Sequence, residues 1–470
     1  MRMLIVAALI AFSGDAFAIS ADQAELLASR TGFGPQIGQS APAGSFESTI
    51  DHLVDAAAAR RTAATPPPDW VAEPLQFPLT PKDLPPDERR ARSLMWQQRY
   101  VDLQSWWLQE MRTTPAPLAE RMTLFWHGHF ATSFKSVKAG QLLYRQNLLL
   151  RRYALGNYRE LLHAIARDPA MLLYLNNQQN KKSEPNENFA RELLELFTLG
   201  EGHYTENDVK EAARAFTGWK MQTPDGTFTV VAKQHDDGDK RFLGRSGRLD
   251  GDDVIEQILK QPRAAEFIVE QLWREFVSPQ PEAAAVQRLA AGFRKNWEIA
   301  PLLKALFREP AFSAADNQGV LVKSPVEFVV GTLRGLDLPL SSLNAAVSTA
   351  DMGQTLFAPP NVRGWPGGDA WITSEWLLAR RRFVQQLAGD LPSGDAAMSG
   401  RTRLQKVAAA ELRQQSADLQ RRFGEVAESL PPSDMTRQLL SLPPVMPAVD
   451  GAKPPDRLET LLLDPVYNLK

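Results

Sequence analysis

The hydrophobic residues of this chain recur mainly at intervals of three and four positions, and strict alternation of apolar and polar residues is rare. Intervals of three and four place apolar side chains on one face of an α-helix, whereas alternation is typical of a strand. The pattern therefore predicts a mainly α fold, a large multi-helix domain. Its longest predicted helix runs from about residue 87 to residue 112, with Tyr100, Leu103 and Trp107 on one face.

One short stretch departs from the helical pattern. Residues 221–234 read MQTPDGTFTVVAKQ, so that an Asp225-Gly226 pair precedes a run of β-branched residues. An Asp-Gly pair favours a tight turn, and β-branched residues favour strands. The stretch therefore predicts a small β-hairpin insertion within the helical body.

The N-terminus has the pattern of a signal peptide. Arg2 precedes an apolar run, and the small residues Ala16 and Ala18 follow it. Cleavage after Ala18 would export the protein to the periplasm or the extracellular space. The apolar run is shorter than the roughly twenty residues that cross a bilayer. No later stretch approaches that length, so we expect no membrane span after the leader is cleaved.

Proline-rich stretches divide the rest of the chain. The predicted organisation is a signal peptide at 1–18, an N-terminal helical segment at 19–64, a proline-rich strap at 65–86, a main helical body at 87–390 with the hairpin near 221–234, and a C-terminal helical region at 391–470 with a proline-rich linker.

The composition limits the chemistry of any site. The chain contains no cysteine, which excludes disulfides, thiolate nucleophiles and cysteine zinc sites, so any metal must bind to His, Asp or Glu. A net charge of −2 creates no overall field that would attract nucleic acid. We therefore expect no nucleic-acid partner.

An acidic helix provides the first candidate chemistry. In the stretch SEPNENFARELLELF, the carboxylates Glu187, Glu192 and Glu195 fall on one face of a helix of 100° per residue. They are candidate catalytic residues if that face lines a buried cleft, and a solvated surface otherwise. After this helix, Thr205 and Asp208 have the spacing of a capping box that begins the next one.

The sequence FWHGHF, residues 125–130, suggests a divalent metal site such as zinc or iron. His127 and His129 could act with His235 and Asp236 as ligands. Two residues turn a helix by about 200°, so the two rings converge only if Gly128 breaks the helix. If the helix continues, the pair is a packed helix junction.

A loop rich in proline, glycine and tryptophan gives a third candidate. Within FAPPNVRGWPGGDAW, residues 357–371, exposed rings of Trp365 and Trp371 beside Asn361 and Arg363 would form a binding platform for a sugar. The alternative is that the tryptophans anchor a long loop to the helices beneath it.

Several long motifs resemble the bacterial family named as the domain of unknown function 1800. They include MTLFWHGHFATSFKSV, PNENFARELLELFTLGEGHYTENDVKEAARAFTGW, QHDDGDKRFLG and MGQTLFAPPNVRGWPGGDAWI. The resemblance runs from about residue 22 to residue 468. It implies an exported, predominantly helical protein, often encoded beside a secreted sulfatase-like protein, and it carries over no established catalytic residue. Many relatives have Asn where Gly128 stands here.

Two functional hypotheses follow from these candidates. The first is a metal-assisted hydrolase that acts on a glycan or another envelope polymer, in which a metal activates water and a carboxylate accepts its proton. The second is a non-catalytic partner that binds a secreted sulfatase-like protein or a polysaccharide through the tryptophan-rich loop.

Overall fold

A computed structural model describes residues 18–76, 84–389, 403–447 and 451–470. Except for Ala18, the predicted signal peptide lies outside these residues, as does part of the proline-rich strap. About 63% of the chain is helical, and the strands described form two small antiparallel sheets of two strands each. The prediction of a mainly α fold with a small β insertion is confirmed.

The helices follow one another with short connections. In chain order they are α1 (Ala21–Thr31), α2 (Phe46–Ala59), α3 (Pro86–Thr113), α4 (Pro117–His129), α5 (Phe134–Val137), α6 (Gly140–Tyr153), α7 (Tyr158–Ala166), α8 (Pro169–Tyr174), α9 (Asn188–Glu192), α10 (Glu206–Ala215), α11 (Gly251–Lys260), α12 (Pro262–Phe276), α13 (Ala283–Phe293), α14 (Ile299–Phe307), α15 (Pro310–Ser313), α16 (Pro325–Gly335), α17 (Ser342–Asp351), α18 (Ser374–Ala388), α19 (Arg403–Ser429), α20 (Pro432–Leu439) and α21 (Pro454–Leu463). A π-helix, Leu193–Thr198, continues directly from α9.

The strands form two separate hairpins. In the predicted hairpin, β1 (Trp219–Gln222) pairs with β2 (Thr227–Val230), and Trp219 lies opposite Val230. The second hairpin pairs β3 (Lys240–Phe242) with β4 (Arg245–Gly247) and was not predicted. Strands of three residues are too short to show a periodic pattern in the sequence.

Local capping explains where several helices begin. Thr205 Oγ1 accepts a hydrogen bond of 3.2 Å from the backbone N–H of Asp208, and the Asp208 carboxylate accepts one of 2.9 Å from the N–H of Thr205. The capping box predicted before α10 is thus confirmed, and it satisfies N–H groups that a helix start leaves without partners.

The core consists of two clusters of buried apolar side chains. One surrounds Trp126, Phe130 and Tyr158, and the other contains Trp107 from α3 together with residues of α16, α17 and α19. Helix α4 contributes to both, since Trp126 belongs to the first and Leu124 to the second. The histidine pair at its end therefore lies where the two clusters meet.

The last residues return to the main body. Val322 and Leu469 form an antiparallel bridge, and the N–H of Lys470 donates to the carbonyl of Leu321 at 2.8 Å. In the described part of the chain, no helix combines the length and apolar character that crossing a membrane requires.

Candidate functional site

Helix α4 continues without a break through both histidines of FWHGHF. It runs from Pro117 to His129, and the N–H of Phe130 still donates to the carbonyl of Trp126 at 2.8 Å. The break at Gly128 that a shared metal site required is therefore not found. Because two residues turn the helix by about 200°, the two imidazoles lie in different surroundings.

His127 is part of the apolar core. Its ring lies 5.0 Å from the rings of Trp107 and Phe357 and 5.5 Å from that of Trp365, between ring centroids. Its Nε2 accepts a hydrogen bond of 3.2 Å from the N–H of Phe357, while the buried Nδ1 has no partner among the described residues. Burial lowers the pKa of His127 to about 3, so the imidazole is neutral.

His129 points towards the π-helix. Its Nε2 donates to the carbonyl oxygen of Phe197 at 3.0 Å, and the Tyr158 hydroxyl donates to the same oxygen at 3.0 Å. The N–H of Leu199 bonds to the carbonyl of Leu194 at 2.9 Å, five residues back, which is the π-helical spacing. Burial lowers the pKa of His129 to about 4, so this imidazole is also neutral.

His235 and Asp236 have other partners. The Nδ1 of His235 donates to the carbonyl of Thr217 at 2.9 Å, and Asp236 forms an ion pair of 2.8 Å with Arg214, whose hydrogen bond lowers the pKa of the carboxyl group. Among the described residues, no group of three or more His, Asp or Glu is placed to hold a metal ion. The predicted ligands His127, His129, His235 and Asp236 are therefore not brought together.

The three candidate glutamates do not line one common site either. Glu187 precedes α9 and pairs with Arg191 at 3.0 Å, in an i,i+4 arrangement on a partly exposed surface. Glu195 belongs to the π-helix, and its side chain lines a cleft. Glu192 is half-buried, and its pKa is raised by burial and by the charge of Glu195.

The tryptophan loop, residues 357–373, lies directly on the end of α4. Gly364 adopts a φ of +82°, and a Cβ atom added there would lie 2.5 Å from the carbonyl oxygen of Gly128. Gly364 is therefore required by both its conformation and its contact. At Gly128 a Cβ would meet nothing within 4 Å, so the helix position itself does not need glycine.

Two of the four residues predicted for the sugar platform have structural roles. Trp371 is buried, with its ring 5.3 Å from that of Trp376, so it anchors the loop as the alternative interpretation proposed. The Asn361 side chain accepts from the N–H of Arg363 at 2.8 Å and shapes the turn. Arg363 is exposed and Trp365 is half-buried, so these two remain available to a ligand.

A cleft of about 720 Å³ brings several candidates together between α4, the π-helix, α12 and the tryptophan loop. We refer to it as the tryptophan-loop cleft. Its lining includes His129, Glu195, Arg363 and Trp365, which were singled out in the sequence, and the amides Gln271 and Gln354, which were not. The volume is within the range of about 300–1,000 Å³ typical of small-molecule sites.

Ion pairs connect the loop to the π-helix across this cleft. Arg363 donates to Glu195 at 2.8 Å and to Glu201 at 3.1 Å, and these carboxylates raise the pKa of its guanidinium group. The hydroxyl of Tyr204 donates to Glu195 at 3.2 Å. Burial and the nearby Glu195 charge raise the pKa of Tyr204 to about 12, so it remains a hydrogen-bond donor.

Three residues of the cleft lining, Glu275, Glu327 and Lys470, belong to a charge cluster that sequence reasoning missed. Buried Arg121 of α4 pairs with Glu275 of α12 at 2.5 Å and with Glu327 of α16, and Glu327 also pairs with Lys470. We refer to these four residues as the floor cluster. The sequence signal for this cluster was limited to Glu327, which stands three residues after Ser324 in a capping box. A capping box satisfies local backbone N–H groups and does not predict contacts with residues distant in sequence.

The fold and cleft define a mainly helical protein with a cleft lined on one side by a tryptophan loop. The chain belongs to the DUF1800 family, a family of proteins of unknown function, which it matches over residues 26–467. This agrees with the resemblance read from its motifs. No curated protein and no solved structure matches the chain.

Proposed function

We propose that the tryptophan-loop cleft binds a glycan. The observation that carries this proposal is that the half-buried Trp365 and the Arg363–Glu195 pair line the same cleft. A sugar ring presents an apolar face that packs on an aromatic ring, and its hydroxyl groups bond to charged and amide side chains. A glycan ligand agrees with the export that residues 1–18 predict.

The charge of the cleft favours a neutral sugar. Its lining holds three cationic side chains and four carboxylates, and several of them already pair with one another. The cations are Arg274, Arg363 and Lys470, and the carboxylates are Glu195, Glu201, Glu275 and Glu327. His129 adds no charge at neutral pH, because burial lowers its pKa to about 4. The lining therefore has no excess of cations that would select an acidic glycan.

Binding of neutral hexasaccharides of glucose, xylose, mannose and N-acetylglucosamine, measured by calorimetry, tests this proposal. We expect the protein to bind at least one of them. Trp365→Ala should weaken that binding about tenfold, because the aromatic surface is lost, and Trp365→Phe should weaken it less. Arg363→Ala should also weaken binding, because a partner for sugar hydroxyl groups is lost, whereas Arg381→Ala, at an exposed position on α18, should leave it unchanged. Binding to none of the four, or equal binding by Trp365→Ala, contradicts the proposal.

A second candidate function is acid–base hydrolysis of the bound glycan. Glu195 lines the cleft and accepts hydrogen bonds from Arg363 and Tyr204. Glu192 lies three residues before it, behind the cleft lining, and burial together with the Glu195 charge raises its pKa. Acid–base glycoside cleavage uses one carboxyl group that donates a proton and a second one that acts as base or nucleophile. Glu192 and Glu195 therefore support the hydrolase activity that the first hypothesis proposed.

Glu195→Gln separates binding from hydrolysis. The amide keeps the shape of the side chain and can still accept from Arg363, so glycan affinity should change little. If the protein is a hydrolase, release of reducing ends from a bound hexasaccharide should fall at least about a hundredfold. Wild-type protein that binds but releases no reducing ends leaves glycan binding alone as the function.

A further inference from the structure

A second cavity lies away from the tryptophan-loop cleft. It has a volume of about 640 Å³, and its walls come from α1, α20, the segment after α20 and the end of the chain. We refer to it as the lysine pocket. Its apolar lining includes Leu26, Pro35, Leu439, Leu440, Leu442 and Leu469. Such walls favour a ligand with an apolar chain.

One cationic side chain in the lysine pocket has no counter-ion. Lys323 donates from Nζ to the carbonyl of Tyr467 at 2.8 Å, and Nζ lies 4.0 Å from the centre of the Tyr467 ring. Among the described residues, no carboxylate forms an ion pair with it. Burial and the positive charges of Arg380 and Lys470 lower the pKa of Lys323 to about 7. A partly buried amine in this position gains from any anion that reaches it.

The other charged side chains of the lysine pocket are paired or exposed to solvent. Arg437 of α20 pairs with Glu25 of α1 and with Asp434 at 3.4 Å. Asp22 lies on the exposed side of α1. Lys323 is therefore the buried amino group of this pocket that forms no ion pair with the described residues.

A hydroxyl group in the same lining also lacks a partner. The Oγ atom of Ser441 is buried and makes no hydrogen bond within the described residues. A buried hydroxyl without a partner is costly, and a carboxylate offers acceptors to an O–H donor and to an ammonium group alike. Ser441 is thus a second, independent indication of an anionic acceptor.

An exposed apolar surface continues from the pocket wall. Leu442, Val445 and Met446 are 37%, 70% and 38% exposed, respectively. The segment has a defined position, because the Asp464 carboxylate accepts from the N–H groups of Val445 and Met446 at 2.9 and 2.8 Å. Large apolar side chains held in water beside an apolar cavity provide a surface for the tail of a ligand.

We propose that the lysine pocket binds a fatty acid, with its carboxylate directed to Lys323 and Ser441 and its chain against the apolar wall and Leu442. The volume is within the range of about 300–1,000 Å³ typical of small-molecule sites. The ligand supplies the counter-ion that Lys323 lacks. This site is separate from the tryptophan-loop cleft and does not depend on its glycan.

Calorimetry with dodecanoate and 1-dodecanol, both below their aggregation concentrations, tests the proposal on the purified protein. The two probes share a chain length and differ in the charge of the head. We expect one dodecanoate per chain, bound at least about tenfold more tightly than the alcohol. Absence of dodecanoate binding, or equal affinity for both probes, overturns the proposal.

Lys323→Met removes the charge and retains the length of the side chain. It should abolish the preference for dodecanoate and leave dodecanol binding unchanged. Lys295→Met is the matched control, because Lys295 is exposed and lines a different cavity. If Lys323→Met fails to fold, Leu442→Asp, at an exposed position on the wall, should weaken binding of both probes. Retained preference in Lys323→Met, or unchanged binding in Leu442→Asp, rejects this site.

Discussion

Two histidines of one helix end have different hydrogen-bonding roles. His127 accepts through Nε2 from a backbone N–H, so its proton must lie on the unpartnered Nδ1. His129 donates through Nε2 to a carbonyl, so its Nδ1 carries the lone pair. Both rings are neutral because burial disfavours the charged form. At this scale the pair contributes to packing and, through His129, to the wall of the tryptophan-loop cleft.

The low pKa of His127 predicts a dependence of stability on acid pH. The ordinary pKa of about 6.5 applies to the unfolded chain, whereas the folded value is about 3, so the unfolded state binds the proton first as the pH falls. The stabilisation is complete above about pH 6.5 and is lost progressively towards pH 3. At pH 5 the loss from this residue is about 2 kcal/mol relative to pH 7.

His127→Gln isolates this contribution, because the amide can still accept from the N–H of Phe357 and does not titrate. Urea unfolding at pH 7 and pH 5 should show that wild type loses about 2 kcal/mol more than the variant between the two values. An equal loss in both proteins would show that His127 is already accessible to protons in the folded state.

At the scale of elements, the π-helix explains why the three glutamates do not share one face, as a regular helix would place them. A regular helix predicted Glu187, Glu192 and Glu195 on one face, but the backbone changes to π-helical spacing at Leu193, and of the three only Glu195 lines the cleft. The carbonyl of Phe197 accepts from His129 and Tyr158, which belong to other helices. Such a change depends on tertiary partners, so local periodicity could predict the helix but not this change of its backbone.

Gly364 and Gly128 are in contact, but we expect replacement by alanine to have opposite effects on the free energy of unfolding at the two positions. Gly364→Ala adds a Cβ at a φ of +82° and within 2.5 Å of the Gly128 carbonyl oxygen, so the tryptophan loop must shift. We expect it to lower the free energy of unfolding by about 2 kcal/mol. Gly128→Ala meets no atom within 4 Å and replaces a helical glycine, so it should raise that free energy by about 0.5–1 kcal/mol.

Urea unfolding of both variants provides the measurement, and each serves as the control for the other. Calorimetry with a bound hexasaccharide should also show weaker binding for Gly364→Ala, since Trp365 follows it directly in the loop. Stability changes of the same sign would mean that the contact between loop and helix does not fix the position of the loop.

At the scale of the whole molecule, the sequence was informative about the fold and only partly about the site. Helical periodicity and the Asp225-Gly226 turn predicted the fold, because both signals are local. Glu195, Arg363 and Trp365 were singled out in the sequence as candidate site residues, yet their convergence in one cleft could not be predicted. They come from the π-helix and a distant loop, and only the packing of α4 between two cores brings them together.

The floor cluster is the clearest case of chemistry that only the whole fold creates. Arg121, Glu275, Glu327 and Lys470 come from α4, α12, α16 and the last residue, and the first and last are buried cations. Burial and the Arg121 charge lower the pKa of Lys470 well below its ordinary value. Glu327 contacts both cations, so their burial depends on its charge.

Glu327→Gln should therefore destabilise the protein by about 3–5 kcal/mol, the usual effect of breaking a buried pair. The amide can still accept from the N–H of Ser324, where the carboxylate accepts at 2.9 Å, so the cap of α16 is retained and the loss reflects charge. Glu275→Gln is the matched control, because the Glu275 side chain is 31% exposed and should cost about 1 kcal/mol or less. Urea unfolding compares the two variants. Equal losses of stability in the two variants would show that the cluster is solvated and that the Glu327 charge does not hold Lys470 in place. A larger loss for Glu327→Gln would show that it does.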